Sequence, residues 1–262
     1  MNEVCCRFGP ENRLAGIITE PGGRAPRLGL VLVSAGLLPK AGPFRLYAEL
    51  ARSLANAGVV TLRFDLGGLG DSAQEQGDRQ LEARTESEIG AALDCLSERF
   101  ALSGIVLGGL CSGAEDSFRV AASEKRVTGL VMIDPFAYRT TGWAWRHLRH
   151  RLWRRALRAL GLYLPVAHER AKIVSYQYLE RVEAASMLRA LLARNTRMHF
   201  IYTSGVRERL NHERQFRALF RGLDLKDLVT VDYLPQLDHT PLLQADRDTL
   251  IKVIARHLAT AT

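Results

Sequence analysis

A chain of 262 residues, 47% of them hydrophobic, fits one sizeable α/β domain better than two small ones. Four cysteines, Cys5, Cys6, Cys95 and Cys111, at irregular spacings and with no Cys-x-x-Cys pair, argue against a disulfide framework and a zinc site. The net charge of +8 bears on association and not on fold. Residues 1–10 lack an apolar signal segment and no apolar run is long enough for a bilayer, so the expectation is a soluble, cytoplasmic protein.

In chain order, short apolar and β-branched runs alternate with helical periodicity. Strands are expected at Leu28 to Ala35, Val59 to Phe64, Ile105 to Leu107, Gly129 to Ile133, His199 to Tyr202 and Val229 to Leu234. Helices are expected at Phe44 to Ala57, Glu82 to Arg99, Ser112 to Ser123, Asn211 to Arg221 and Leu243 to Ala259. Strand and helix in alternation imply an α/β fold with a mostly parallel, doubly wound sheet. The alternation breaks once, after Asp134. There residues 139–195 carry helical periodicity without a strand and read as a helical lid inserted into a core of residues 1–138 and 196–262.

The run Gly104-Ile105-Val106-Leu107-Gly108-Gly109-Leu110-Cys111-Ser112-Gly113-Ala114 is a strand leading through small residues into a helix. Gly-x-Cys-x-Gly has the form of a nucleophile elbow, whose turn is too tight for larger flanking residues. Centred on Ser112 the frame fails, because Leu110 would replace the first glycine. The unpaired N–H groups at the start of the following helix favour a thiolate and an oxyanion. The plain alternative is a buried cysteine in an ordinary strand-to-helix turn.

A base is supplied by His239, on the loop after the strand Val229 to Leu234, since imidazole takes and returns a proton near neutrality. Two acids compete to orient it: Asp134, at the end of Leu130-Val131-Met132-Ile133, is favoured, and Glu208, flanked by Arg207 and Arg209, is the fallback. Asp238 more readily shapes its own loop. An oxyanion hole is expected from the N–H of Ser112 and of Leu37, the latter in the loop Ser34-Ala35-Gly36-Leu37-Leu38.

These motifs, with Arg63-Phe64-Asp65-Leu66-Gly67-Gly68-Leu69-Gly70-Asp71-Ser72 and Leu237-Asp238-His239, resemble the α/β-hydrolase superfamily over nearly the whole chain. The resemblance gives Arg63 to Ser72 a structural role, so Asp65 and Asp71 receive no catalytic task. Cysteine in place of serine makes the chain similar to the cysteine-nucleophile branches: dienelactone-hydrolase-like enzymes, exosortase-associated hydrolases and Cys-Asp-His Dieckmann-type cyclases. In the last group the resemblance also places the acid at Asp134.

The expected activity is therefore cysteine-dependent acyl transfer on an ester, lactone or thioester, hydrolase- or thioesterase-like, through an acyl-Cys111 intermediate. One alternative is ring closure or acyl transfer releasing a carrier-bound chain, since a thioester yields readily to carbon nucleophiles. Another is a non-catalytic binding protein on the same fold. Residues 142–158 are cationic, tryptophan-rich and free of acids, which suits an acidic acyl carrier protein, a CoA-type thioester or an anionic membrane, or simply a solvated roof over the pocket. Nothing points to nucleic acid, and no cofactor or metal is implied, as neither a phosphate-cradling loop nor a ligand cluster is present.

Overall fold

The computed structural model describes residues 1–23, 25–77, 79–160 and 179–259. Among the described residues eight strands, β1 (Asn2–Phe8), β2 (Leu14–Glu20), β3 (Leu28–Val33), β4 (Val59–Phe64), β5 (Gly104–Leu110), β6 (Val127–Ile133), β7 (Arg197–Tyr202) and β8 (Val229–Tyr233), form one sheet in the order β1-β2-β4-β3-β5-β6-β7-β8. From β4 to β8 every pairing is parallel. The antiparallel hairpin β1–β2 closes one edge. Helices α1 (Leu46–Asn56), α2 (Leu81–Arg99), α3 (Ser112–Ser123), α4 (Thr141–Ala159), α5 (Arg181–Ala193), α6 (Gln215–Leu219) and α7 (Gln244–Ala259) follow the strands.

Alternation within the buried strands feeds both faces. On β3, Leu30 and Leu32 pack towards α1 and α7, with Leu50, Leu54, Leu250 and Ile254. Val31 and Val33 pack towards α2 and α3, with Ile89, Leu93, Ala114 and Phe118. The sheet is therefore covered on both sides, as a doubly wound layout requires. The sequence reading missed β1 and β2. The edge strand Asn2–Phe8 buries only Cys6 and Phe8, which leaves too little apolar periodicity to signal a strand.

Other expectations shift in extent. Strand β5 continues to Leu110 and so runs directly into Cys111. Helix α6 is shorter than the expected Asn211 to Arg221 because Asn211 is drawn away from it: its Oδ1 accepts from Arg146 Nε at 2.8 Å and its Nδ2 donates to the Trp143 carbonyl at 3.3 Å. Within the segment expected as a lid, α5 buries Ala184, Leu188 and Leu191 in the core cluster that contains α3, so this helix flanks the sheet. Helix α4 buries only Trp143. Residues 161–178 of that segment lie outside the described residues.

The turn Arg63 to Ser72 acts as a brace. Asp65 is fully buried and accepts from the Lys40 backbone N–H at 2.5 Å, the Lys40 ammonium at 2.6 Å and the Asp71 N–H at 3.1 Å. Ser72 Oγ donates to the Asp65 carbonyl at 2.6 Å and accepts from Ala15 N–H at 2.8 Å, which ties the turn to β2. At Gly70, with φ +50°, a Cβ would run into the Asp65 carboxylate. Removing that carboxylate leaves three partly buried donors without their acceptor at once. Asp65→Ala is expected to lower the unfolding free energy by about 2–4 kcal/mol in urea titration, and Asp71→Ala to shift the midpoint far less.

Candidate active site

The site begins at a strained turn between β5 and α3. Cys111 has φ 53° and ψ −119°, a region that ordinary side chains avoid at a cost of about 1–3 kcal/mol, and it persists because its surroundings dictate it. The Cys111 N–H donates to the Ile133 carbonyl at 2.8 Å, extending the ladder with β6 one residue past the strand. A Cβ on Gly109 would lie 2.6 Å from the Gly113 carbonyl carbon, and one on Gly113 would collide with the Val33 carbonyl. The two glycines flanking the cysteine are thus what lets α3 start against β3 and β5. Behind the turn, the buried Tyr47 hydroxyl accepts from Leu110 N–H at 2.7 Å and donates to the Val33 carbonyl at 3.1 Å.

Asp134 follows β6, also with a positive φ of 47°, and its side chain is completely shielded from solvent. Its Oδ2 lies 2.7 Å from His239 Nδ1. The same carboxylate accepts from Thr203 N–H through Oδ1 at 2.6 Å and from Thr203 Oγ1 through Oδ2 at 2.5 Å. His239 is thereby held at one nitrogen, and its ring is also hydrogen-bonded to Cys111. Burial disfavours an imidazolium here, but the hydrogen bonds and negative charge of Asp134 and Cys111 outweigh it and raise His239 to about 10.

The structure therefore brings together Cys111, His239 and Asp134. It does not bring Glu208 to them: that side chain is exposed, and its main-chain carbonyl accepts from Arg139 Nε at 2.9 Å. Asp238 is exposed too and receives a 3.4 Å hydrogen bond from Ser204 Oγ within the loop contact. Sequence reasoning missed two partners. Thr203 is buried beneath Asp134, and Gly205 lies so close under His239 that a Cβ there would sit 2.5 Å from Nδ1. The strand-end run Thr203-Ser204-Gly205 carried a signal, since small polar residues at that point permit close approach to a neighbouring loop.

The two expected donors lie on separate segments of the chain. Leu37 is 88% exposed on the loop after β3, and Ser112 opens α3. Ser112 Oγ accepts from Gly36 N–H at 2.8 Å, which pins that loop to the first turn of α3. Gly36 has φ +53°, so the loop's tight course needs a glycine there.

This sheet order, with an elbow after β5, an acid after β6 and a histidine after β8, is the α/β-hydrolase fold, and solved structures agree over almost the full chain. The α/β hydrolase GrgF from Penicillium sp. sh18 superposes with a TM-score of 0.62 at 18% identity, covering 98% of each chain. An α/β serine hydrolase homologue from Coxiella burnetii gives 0.60 at 18%, covering 98% of this chain and 97% of the other. The esterase domain of a Rhodothermus marinus protein gives 0.62 at 18%, covering 99% and 98%. No family model and no curated protein matches the chain.

The raised His239 value has a thermodynamic consequence with a definite sign. Since the folded value of about 10 exceeds the ordinary 6.5, the stability contributed by His239 is complete below about pH 6.5 and is lost as pH climbs through about 10. Urea midpoints of the wild type are expected to fall over this window, while those of His239→Gln stay flatter. Equal slopes for the two proteins would rule out the pairing.

Proposed function

We propose that the chain is an acyl-transfer enzyme of hydrolase type, acting on an ester, lactone or thioester with Cys111 as nucleophile, His239 as acid and base, and Asp134 as the group that orients the base. The observation that carries this reading is the 2.7 Å contact of Asp134 Oδ2 with His239 Nδ1, while the same ring is hydrogen-bonded to the cysteine of the elbow. With Nδ1 committed to the carboxylate, Nε2 is the nitrogen that serves the sulfur.

In the first half-reaction the Cys111 sulfur, its proton passed to His239, adds to the substrate carbonyl. The oxyanion forms beside the N–H groups of Ser112 and Leu37. Collapse of the tetrahedral adduct breaks the bond to the leaving group, which takes the proton from His239 and departs, leaving an acyl-Cys111 thioester. In the second half-reaction His239 takes a proton from water as the water oxygen attacks the thioester. The carboxylic acid is released and the thiol is restored.

Asp134 keeps its place throughout, held by Thr203 as well as by His239. Helix α4 serves in this reading as a lid of the site, with α5 as its base against the sheet. A second reading rests on the sulfur itself. A thioester intermediate is attacked efficiently by carbon nucleophiles, so a substrate carrying its own enolate would close a ring in place of hydrolysis.

The test is a panel of activated esters, lactones and acyl thioesters assayed with purified protein. Cys111→Ala and His239→Ala are each expected to lose about 10³-fold or more in kcat. Asp134→Asn should lose about 10²–10⁴-fold with the fold intact, because the ring is no longer held in the required tautomer. Thr203→Val, which removes one of the two Thr203 donors to Asp134, should cost about tenfold, mainly in kcat. Product masses heavier by one water identify hydrolysis, and loss of the leaving group without added water identifies ring closure. Full activity in Cys111→Ala would overturn the proposal.

A further inference from the structure

Helix α4 is mounted the opposite way round from a helix of a globular core. It is anchored by Trp143, whose Nε1 donates to the Arg207 carbonyl at 3.3 Å, over which Arg139 is placed at 4.6 Å, and on which His147 stacks at 4.7 Å. Arg146 adds hydrogen bonds to Asn211 Oδ1 at 2.8 Å and Gln215 Oε1 at 3.1 Å. At about 100° per residue, the side opposite Trp143 carries Trp145, Leu148, Leu152 and Ala159 in one stripe. That stripe faces solvent: Trp145 is 74% exposed, Leu148 46% and Leu152 54%, with Trp153 at 63% on its flank. Bulky apolar side chains in a row are not left in water without a use.

The charges around the stripe define what it meets. Thr141–Ala159 contains six arginines and no aspartate or glutamate. By helical position, Arg149 lies on one border of the stripe and Arg151 and Arg155 on the other. We propose that α4 docks the protein on an anionic lipid surface. The stripe of Trp145, Leu148 and Leu152 enters the boundary between headgroups and acyl chains, and the bordering arginines reach the lipid phosphates.

An extended apolar row, about 20 Å long from Trp145 to Ala159 at 1.5 Å per residue, fits a flat apolar boundary. A charge patch alone, as an acidic protein would need, does not call for it. Guanidinium groups at the border of a shallow apolar stripe are placed as in helices that lie in the membrane plane. Among the described residues no helix is long and apolar enough to cross a membrane, so the contact is with one leaflet. Docking is independent of the chemistry at Cys111, and the two are measured separately.

The experiment is flotation of the full chain with vesicles of phosphatidylcholine alone and of phosphatidylcholine mixed with phosphatidylglycerol, alongside tryptophan emission. Binding to the anionic vesicles is expected about tenfold or more tighter than to the neutral ones, weakening as salt is added, with a blue shift of emission. Trp145→Ser combined with Leu152→Ser should lose about tenfold or more, and Arg149→Gln with Arg155→Gln about tenfold, on the anionic vesicles. Both double variants should keep the wild-type circular dichroism and thermal midpoint, since these side chains are exposed. Cys111→Ala should bind as the wild type does. Absence of vesicle binding, equal binding to both compositions, or wild-type binding by the double variants would each overturn the proposal. So would capture of an acidic acyl carrier protein by a chain that ignores vesicles.

Discussion

Asp134 is the constraint on which the candidate site is built. A carboxylate wholly removed from water is tolerable only when its oxygens are occupied, and here they are taken by His239, by the Thr203 N–H and by the Thr203 hydroxyl. Satisfying the carboxylate therefore fixes three pieces of chain at once: the end of β6, the end of β7 and the loop after β8. The same bonds set the ring of His239 against Cys111 and sustain its positive charge. A site assembled this way depends little on flexible loops holding their shape unaided.

The elbow solves the complementary problem of presenting a reactive atom from a buried strand. Gly109 and Gly113 give up their side chains so that α3 can start against β3, and Tyr47 secures the backbone from behind. The strain at Cys111 is sustained by that packing, and it points the sulfur off the sheet and towards the histidine loop. A serine in the same turn would depend wholly on the histidine to take its proton during attack, whereas a thiol is by its nature the more acidic and more nucleophilic group.

How far the sequence disclosed this depends on the range of the contacts involved. The central parallel strands were legible because β3, β5 and β6 are buried on both faces and read as nearly unbroken apolar runs, and the elbow because its steric demands are local. Asp134 was legible as a strand-end acid and favoured over Glu208 on that ground, whereas its hold on the end of β7 depends on the register of β6 against β7, where Asp134 N–H donates to the Ile201 carbonyl at 2.8 Å. Thr203 and Gly205 were not legible, because each matters only through a residue far off in sequence. The hairpin β1–β2 was missed on two counts: β1 is an edge strand facing water with little hydrophobic pattern, and β2, though buried, is a short run interrupted by Gly16 and Thr19.

Intact-protein mass spectrometry after brief exposure to an activated ester and an acyl thioester tests the central claim most directly, with Cys111→Ala treated in parallel. The expected result is a single acyl mass on the wild type, mapped by digestion to the peptide containing Cys111, decaying in water and missing from the variant. An acyl group that maps elsewhere, to Ser112 or Cys5 for example, or that persists undiminished in Cys111→Ala, would contradict it.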